Sequence, residues 1–449
     1  MGCRVTVFGT GYLGATHAAC MAELGHDVLG VDIDESKLAK LKAGEAPFYE
    51  PGLDEVLRSN LDAGRLKFTS SYAEAAEFGE VHFLGVATPQ KRGEFAADMT
   101  FIDAVVSTLA PLLKSPTVLV GKSTVPVGTA ARLRDMAQKI APAGKEVEVA
   151  WNPEFLREGF AVRDTLHPDR IVLGLDLNVP GRAEAVLRDV YNDILAENVP
   201  MLVTDLETAE LVKTAANAFL ATKISFINAM AEVCEAAGAD VTELADAIGY
   251  DTRIGRKFLN AGIGFGGGCL PKDIRAFMAR AGELGANQAL TFLREVDSIN
   301  MRRRTRMMEM TKEMTGGSLI GKRVTVLGAA FKPDSDDIRD SPALNIAGQI
   351  QLQGASVVVY DPKAVSNARQ LFPTLEYAGS VHEACAHSDI TLVLTEWDEF
   401  RQLEPDSLND VVRHRRIIDG RNCLDRQHWR RAGWEYQGIG IRSESTVRK

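Results

Sequence analysis

The chain has 449 residues, 45% hydrophobic and 25% charged, enough for about three domains or subdomains of ordinary globular composition, which excludes disorder, collagen-like repeats and coiled coil. Its 51 Lys and Arg against 61 Asp and Glu leave a net charge of -10. That balance excludes a broad nucleic-acid-binding face and requires any bound phosphate to be met by a local cationic pocket. No apolar run reaches the roughly 18 residues of a membrane-spanning helix, and MGCRVTVFGTGYLG lacks a signal peptide's apolar core and cleavage site, so a cytoplasmic protein with no membrane contact is expected. Gly2 and Thr6 fit a myristoylation pattern, but a strand starting at Cys3 or Arg4 leaves too little free arm for it. The six cysteines, Cys3, Cys20, Cys234, Cys269, Cys385 and Cys423, include no CxxC pair, so neither a disulfide framework nor a structural zinc site is expected.

In chain order, β-rich apolar runs at residues 4–8, 27–31, 81–86, 117–121 and 147–150 alternate with helically spaced stretches at 13–24, 101–113 and 129–140. This predicts a βαβ series and a parallel sheet covered by helices. From Asp205 to Ala237 there is neither proline nor glycine, with Asp205 to cap the start and Gly238 to end it, so one long helix is predicted. Helical segments continue to about Thr315, where Gly316–Ser318 marks a linker. Beyond it RVTVLG (323–328) repeats RVTVFG (4–9), which predicts a second α/β half. The expected division is therefore 1–204, 205–315 and 316–449. The second half has an acid at Asp361 where the first has Asp32, but it carries an insertion within FKPDSDDIRDSP (331–342) and lacks the second and third glycines, so a different ligand is expected there.

In the first half Gly9, Gly11 and Gly14 follow a predicted strand and open a predicted helix, with Asp32 ending the next strand. In that context the glycines permit a tight turn, close approach of a pyrophosphate and close helix packing, and the acid suits an adenosine ribose. NAD is favoured over NADP, although Lys37 lies near Asp32. Thr88 and Thr124, in loops after later strands, are candidate contacts at the same sheet edge. The segment GIGFGGGCLPKD (262–273) surrounds Cys269 with five glycines. Pro271 suits a first helical turn, and a thiol at a helix start beside Lys272 favours the thiolate. Lys213 and Asn217, four apart on the long helix, share a face suited to stabilising an alkoxide; spacing alone favours a solvated face. Glu154 and Glu158 in NPEFLREG follow another strand end, where one is a candidate base. The run MRRRTR (301–306) reads as a solvated helix face. His382, Cys385 and His387 have no partner cluster, so no metal is expected.

Taken together, GTGYLG, STVPVGT, NPEFLREG, ELVKTAANAF, RIGRKFLNAGIGFGGGCLPKD, FKPDSDDIRDSP and DGRN, in this order, resemble the UDP-glucose/GDP-mannose dehydrogenase family over essentially the whole chain. The resemblance implies two Rossmann-like α/β domains joined by a long central helix and a helical dimerisation region. It also implies two-step oxidation of UDP-glucose at C6 by NAD, with UDP-glucuronate as a precursor for polysaccharides. The same chemistry on GDP-mannose or a UDP-N-acetylhexosamine, or a two-electron hydroxyacid dehydrogenase, is the alternative.

By the same resemblance, Cys269 adds to an aldehyde and passes to a thioester, Asp273 and Thr124 hold a water that takes the hydroxyl proton, Lys213 and Asn217 hold the oxyanion, and Glu154 activates the hydrolytic water. NAD contacts fall at Gly9, Gly11, Tyr12, Leu13, Gly14, Asp32, Lys37, Thr88, Thr124, Glu158, Lys272 and Arg339. The UDP-sugar contacts fall at Glu154, Phe155, Leu156, Arg157, Lys213, Asn217, Phe258, Leu259, Asn260, Ala261, Gly262, Gly266, Lys332 and Arg421, with Arg253 reaching a partner subunit's site in a homodimer or higher homo-oligomer. Two positions depart from the family pattern, Gly268 where serine is frequent and Trp151 before NPE, and Asn260 resembles the bacterial branch.

Overall fold

The computed structural model describes residues 2–441 and divides the chain into two compact units. One runs to Ala216 and includes Arg275–Gly285; the other comprises Asn217–Ile274 and the chain from Ala286 onward.

The first unit is built on strands β1 (Arg4–Phe8), β2 (Asp27–Val31), β3 (Leu66–Thr69), β4 (Val81–Leu84), β5 (Thr117–Gly121), β6 (Val147–Trp151), β7 (Ile171–Leu175) and β8 (Met201–Asp205), in sheet order β3-β2-β1-β4-β5-β6-β7-β8. All pairings are parallel except β6 with β7, which meet antiparallel at Trp151 and Gly174. The central strands are apolar on both faces, as helices on both sides of a parallel sheet require: Val5, Val7, Phe8, Val81, Phe83 and Val118 are all buried. β4 ends at Leu84 rather than 86, and Gly85, which follows it, donates to the Phe8 carbonyl at 2.9 Å beside Gly14.

In the second unit, strands β9 (Arg323–Leu327), β10 (Ser356–Tyr360), β11 (Glu376–Tyr377), β12 (Ile390–Val393), β13 (Arg416–Asp419) and β14 (Glu435–Gly438) form a parallel sheet of order β11-β10-β9-β12-β13-β14. This repeats the order of the first six strands of the other unit, so the RVTV(F/L)G repeat marks equivalent first strands of two Rossmann-type sheets. The predicted long helix spans Leu206–Ala237, about 48 Å at 1.5 Å per residue, and the unit boundary falls within it. Among the described residues no helix is long and apolar enough to cross a membrane.

Candidate active site

Sheet order fixes where ligand chemistry belongs. In an open α/β sheet the crevice lies beyond the carboxyl ends where strand order reverses, here between β1 and β4. Gly9 follows β1 with φ +87°, a conformation that favours glycine. A β-carbon on Gly14 would overlap the carbonyl oxygen of Gly9, whereas one on Gly11 would meet nothing within 4 Å, leaving open backbone at the N-terminus of helix Tyr12–Glu23. Asp32 accepts from the Thr10 amide at 2.7 Å and hydroxyl at 2.8 Å, and from the Asp34 amide at 3.0 Å. Half-burial pushes its pKa up, but those donors and the Lys37 charge outweigh it and hold the carboxyl below its ordinary value. Lys37 itself lies 3.8 Å from Asp34. An open phosphate cradle followed by a fixed, ionised acid fits an NAD dinucleotide.

The next strand ends supply the polar groups the sequence pointed to. Thr88, after β4, donates to the carbonyl of Thr124, after β5, at 2.8 Å, which ties the two loops together. After β6, Glu154 accepts from Lys213 Nζ at 3.0 Å through Oε1 and from the Leu156 amide at 2.8 Å through Oε2. Phe155 lies between cations, with Arg170 3.8 Å and Lys213 5.6 Å from its ring centre. The solvated-face reading of the Lys213 and Asn217 pair is overturned, since the two are 5% and 7% exposed. Arg157 pairs with Asp164 through two hydrogen bonds of 2.8 and 2.6 Å, and Tyr12 packs on Phe48 while its hydroxyl accepts from the Gly159 amide.

Two residues here escaped sequence reasoning. Lys122, 7% exposed, donates to Asn152 Oδ1 at 2.9 Å, and the Tyr191 hydroxyl donates to the same oxygen at 2.6 Å. Burial pushes the Lys122 pKa down to about 8 against the opposing charge of Glu154. The network fixes the turn that carries Glu154, and its only sequence signal is a lysine directly after a buried strand. Glu50, also buried, accepts from the amides of Gly159 and Ala161 and so anchors the far end of the same turn.

In the second unit the Asp273 amide bonds back to the Cys269 carbonyl, which makes Cys269 the N-cap of helix Leu270–Glu283. Cys269 is exposed and in no disulfide, placed where the helix dipole favours a thiolate. Asp273, 1% exposed, accepts from Asn217 Nδ2 at 2.6 Å and from Lys272 Nζ at 2.7 Å. The helix spacing places Lys213 one turn before Asn217. Within the second unit the cysteine and the amide–carboxylate–ammonium chain offer a candidate nucleophile, an amide donor and a candidate base; within the first, the Lys213–Glu154 pair offers a donor and a second candidate base.

Also in the second unit, Phe258 holds φ +67° while 39% exposed, a strained setting of the kind found at ligand sites; Leu259, Ala261, Gly262 and Gly266 are buried, and Asn260 accepts from Arg256. Arg253 is exposed and bound to Asp251. Lys332 lies 5.6 Å from the Phe331 ring. Arg421 donates to the carbonyls of Leu394, Gly264 and Phe331 and lies 3.3 Å from Glu396. Arg339 pairs with Asp337 and covers Gly268, where a β-carbon would overlap its guanidinium; the missing serine side chain leaves that space to Arg339. Trp151 fills the space of a β-carbon on Gly121, its partner across β5 and β6.

Models of the UDP-glucose/GDP-mannose dehydrogenase family match residues 3–195 (NAD binding domain), 207–302 (central domain) and 325–426 (UDP binding domain). A UDP-glucose 6-dehydrogenase of Rhizobium meliloti is 41% identical over 97% of this chain and 99% of its own length. One from Bacillus subtilis is 40% identical over 97% and 93%. Among solved structures, a UDP-glucose dehydrogenase from Pyrobaculum islandicum superposes with a TM-score of 0.89 at 35% identity, covering 98% of both chains. A UDP-D-ManNAc dehydrogenase from Pyrococcus horikoshii gives a TM-score of 0.83 at 26% identity, covering 97% and 99%.

Proposed function

Because the chain belongs to the UDP-glucose/GDP-mannose dehydrogenase family, we propose the following roles for its residues in the NAD-dependent oxidation of UDP-glucose to UDP-glucuronate. The glycine turn, Asp32, Thr88 and Thr124 would hold NAD, which would supply the hydride acceptor, one NAD for each of the two oxidations. Asp273, through a water, takes the C6 hydroxyl proton. Lys213 and the second amide N–H of Asn217 donate to the developing oxyanion. The Cys269 thiolate then adds to the aldehyde carbon, and the same donors hold the resulting alkoxide until the thioester forms. Glu154, oriented by Lys213 and the Leu156 amide, activates the water that hydrolyses the thioester and returns the thiol. Residues 155–157 and 258–262, with Gly266, Lys332 and Arg421, hold the UDP-sugar; Lys272, Arg339 and Glu158 serve the cofactor side.

The observation that carries this reading is the buried hydrogen bond from Asn217 to Asp273, one turn into the helix whose N-cap is Cys269. An alcohol dehydrogenase needs no thiol; a four-electron oxidation that retains its aldehyde does. The 1–204, 205–315 and 316–449 segments then correspond to NAD binding, coupling and UDP-sugar binding, in a cytoplasmic enzyme. Phe219, Phe226 and Val233 recur every seventh residue on one face of the long helix at 67%, 48% and 56% exposure. A second copy of the chain covers that face in a homodimer, to which Arg253 contributes across the interface.

Cys269→Ser tests the covalent step. UDP-glucuronate formation is expected to fall by roughly a hundredfold or more, with an aldehyde-level or slowly hydrolysed ester species retained on the enzyme by mass spectrometry. Wild-type rates of UDP-glucuronate release by that variant contradict it.

A further inference from the structure

The run MRRRTR is only partly a solvated face: Met301, Arg302 and Thr305 are exposed, but Arg303 and Arg304 are buried. Asn300, Arg303 and Arg304, on helix Phe292–Met314, are 1%, 0% and 2% exposed. Asn300 and Arg303 meet the backbone of the glycine loop that leads to Cys269, and Arg304 meets Asp340. Asn300 Oδ1 accepts from the Phe265 amide at 2.7 Å while its Nδ2 donates to the Phe265 carbonyl at 3.0 Å, so one side-chain amide takes the place of a partner strand. Gly264, at φ +96°, lies so close that a β-carbon would overlap Asn300 Oδ1. Arg303 Nε donates to the Gly262 carbonyl at 3.3 Å. Arg304 Nη1 donates to Asp340 Oδ1 at 2.9 Å, and the turn at Asp340 grips the loop from its other side: the Gly267 amide donates to the Arg339 carbonyl at 2.9 Å, and a β-carbon on Gly266 would overlap the Asp340 carbonyl.

Two costs make this arrangement informative. Each loop glycine adds backbone freedom, so the segment holds a side chain in place only when its polar groups are tied. The terminal nitrogens of Arg303 stand 3.6 Å from Glu232 and 3.8 Å from Glu235 with no hydrogen bond made. Burying a guanidinium so incompletely satisfied is a poor way to gain stability.

We propose that Asn300, Arg303 and Arg304 are positioning residues that clamp the glycine loop and thereby fix where the Cys269 thiol stands at the start of its helix. This rests on Cys269 being the nucleophile. Misplacing a reacting group by about 1 Å costs on the order of a hundredfold in rate.

The test uses full-length Asn300→Ala and Arg304→Gln proteins with two readouts. The first is the pH profile of Cys269 alkylation by iodoacetamide, followed by peptide mapping; the second is kcat against the KM for NAD. Expected are a displaced alkylation midpoint, kcat lowered by about tenfold to a hundredfold, an NAD KM within about twofold of wild type because the glycine turn at Gly9 is untouched, and partial recovery of both readouts in Arg304→Lys. Folded variants with the wild-type alkylation profile and kcat overturn the proposal, and so does a loss of thermal stability with both readouts unchanged. If Asn300→Ala does not fold, the Arg304→Gln and Arg304→Lys pair decides by the same criteria. Alkylation requires no turnover, so it reports on the clamp even if Cys269→Ser were to keep full activity and remove the nucleophile reading.

Discussion

Gly11 and Gly14 sit three residues apart, yet a methyl group means different things at each. At Gly14 a β-carbon would overlap the Gly9 carbonyl oxygen, so the helix could not pack against its strand; at Gly11 it would meet no protein atom within 4 Å and would intrude only on a ligand. Gly11→Ala is therefore expected to cost about 1 kcal/mol of stability or less while weakening NAD binding by about tenfold or more, because the pyrophosphate must approach that backbone. Calorimetric titration with NAD and a thermal melt check the pair of values, and unchanged NAD affinity would refute the cradle. These glycines, Asp32 and Cys269 were legible in the sequence because their chemistry is local: turn, strand end and helix start are short-range patterns. The burial of Lys213, Asn217, Arg303 and Arg304 was not, because helical spacing says which residues share a face and is silent on whether that face is buried. Lys122 and Glu50 were missed for a related reason, since a buried charge paired with groups distant in the chain, side chains for Lys122 and backbone amides for Glu50, leaves little pattern in sequence.

At the scale of elements, carboxylates from elsewhere in the fold take up helix N-termini. Glu50 serves the helix Ala161–Leu166. Glu210, on the long helix one turn before Lys213, serves Thr129–Ile140 by accepting from the amides of Gly128 at 2.7 Å and Ala130 at 2.6 Å. Glu210 is 2% exposed, and desolvation pushes its pKa up to about 7 despite those amides. The native state thus holds this proton more tightly than the unfolded chain. Its contribution to stability is full below the ordinary value of 4.5, declines as pH rises toward about 7, and is flat above that. The slope is at most about 1.4 kcal/mol per pH unit. Glu210→Gln is expected to remove that decline, measured as urea unfolding at several pH values between 5 and 8; an unchanged pH dependence would assign the titration to another group. The strands β1, β2 and β5 and the long helix were readable from apolar runs and from the absence of proline and glycine. β3 is a short edge strand with little pattern to read. β7 and β8 extend the sheet past the dinucleotide-binding repeat, beyond the βαβ rhythm that guided the reading.

Across the whole molecule, one strand order is used twice for different purposes. In the second sheet the acid equivalent to Asp32 is Asp361, and its carboxylate is fully engaged, accepting from the amides of Ala329, Ala330, Lys363 and Ala364 and from Trp397 Nε1. The group that would receive a ribose hydroxyl now braces the turn, and the phosphate glycines are absent from that turn. The second sheet thus repeats the strand order without the free acid and the glycine turn that fit a dinucleotide in the first. The net charge of -10 is likewise compatible with an anionic substrate, because a few local cations suffice, such as Arg421 and Lys332 beside Phe331 in the second unit. Under the proposed mechanism one chain carries out two oxidations and a hydrolysis without releasing the aldehyde. The direct measurement is the NADH formed per UDP-glucose consumed to completion. Two NADH per UDP-glucose, with UDP-glucuronate as the sole sugar product, is the predicted result; one NADH per UDP-glucose, with free aldehyde, would contradict it.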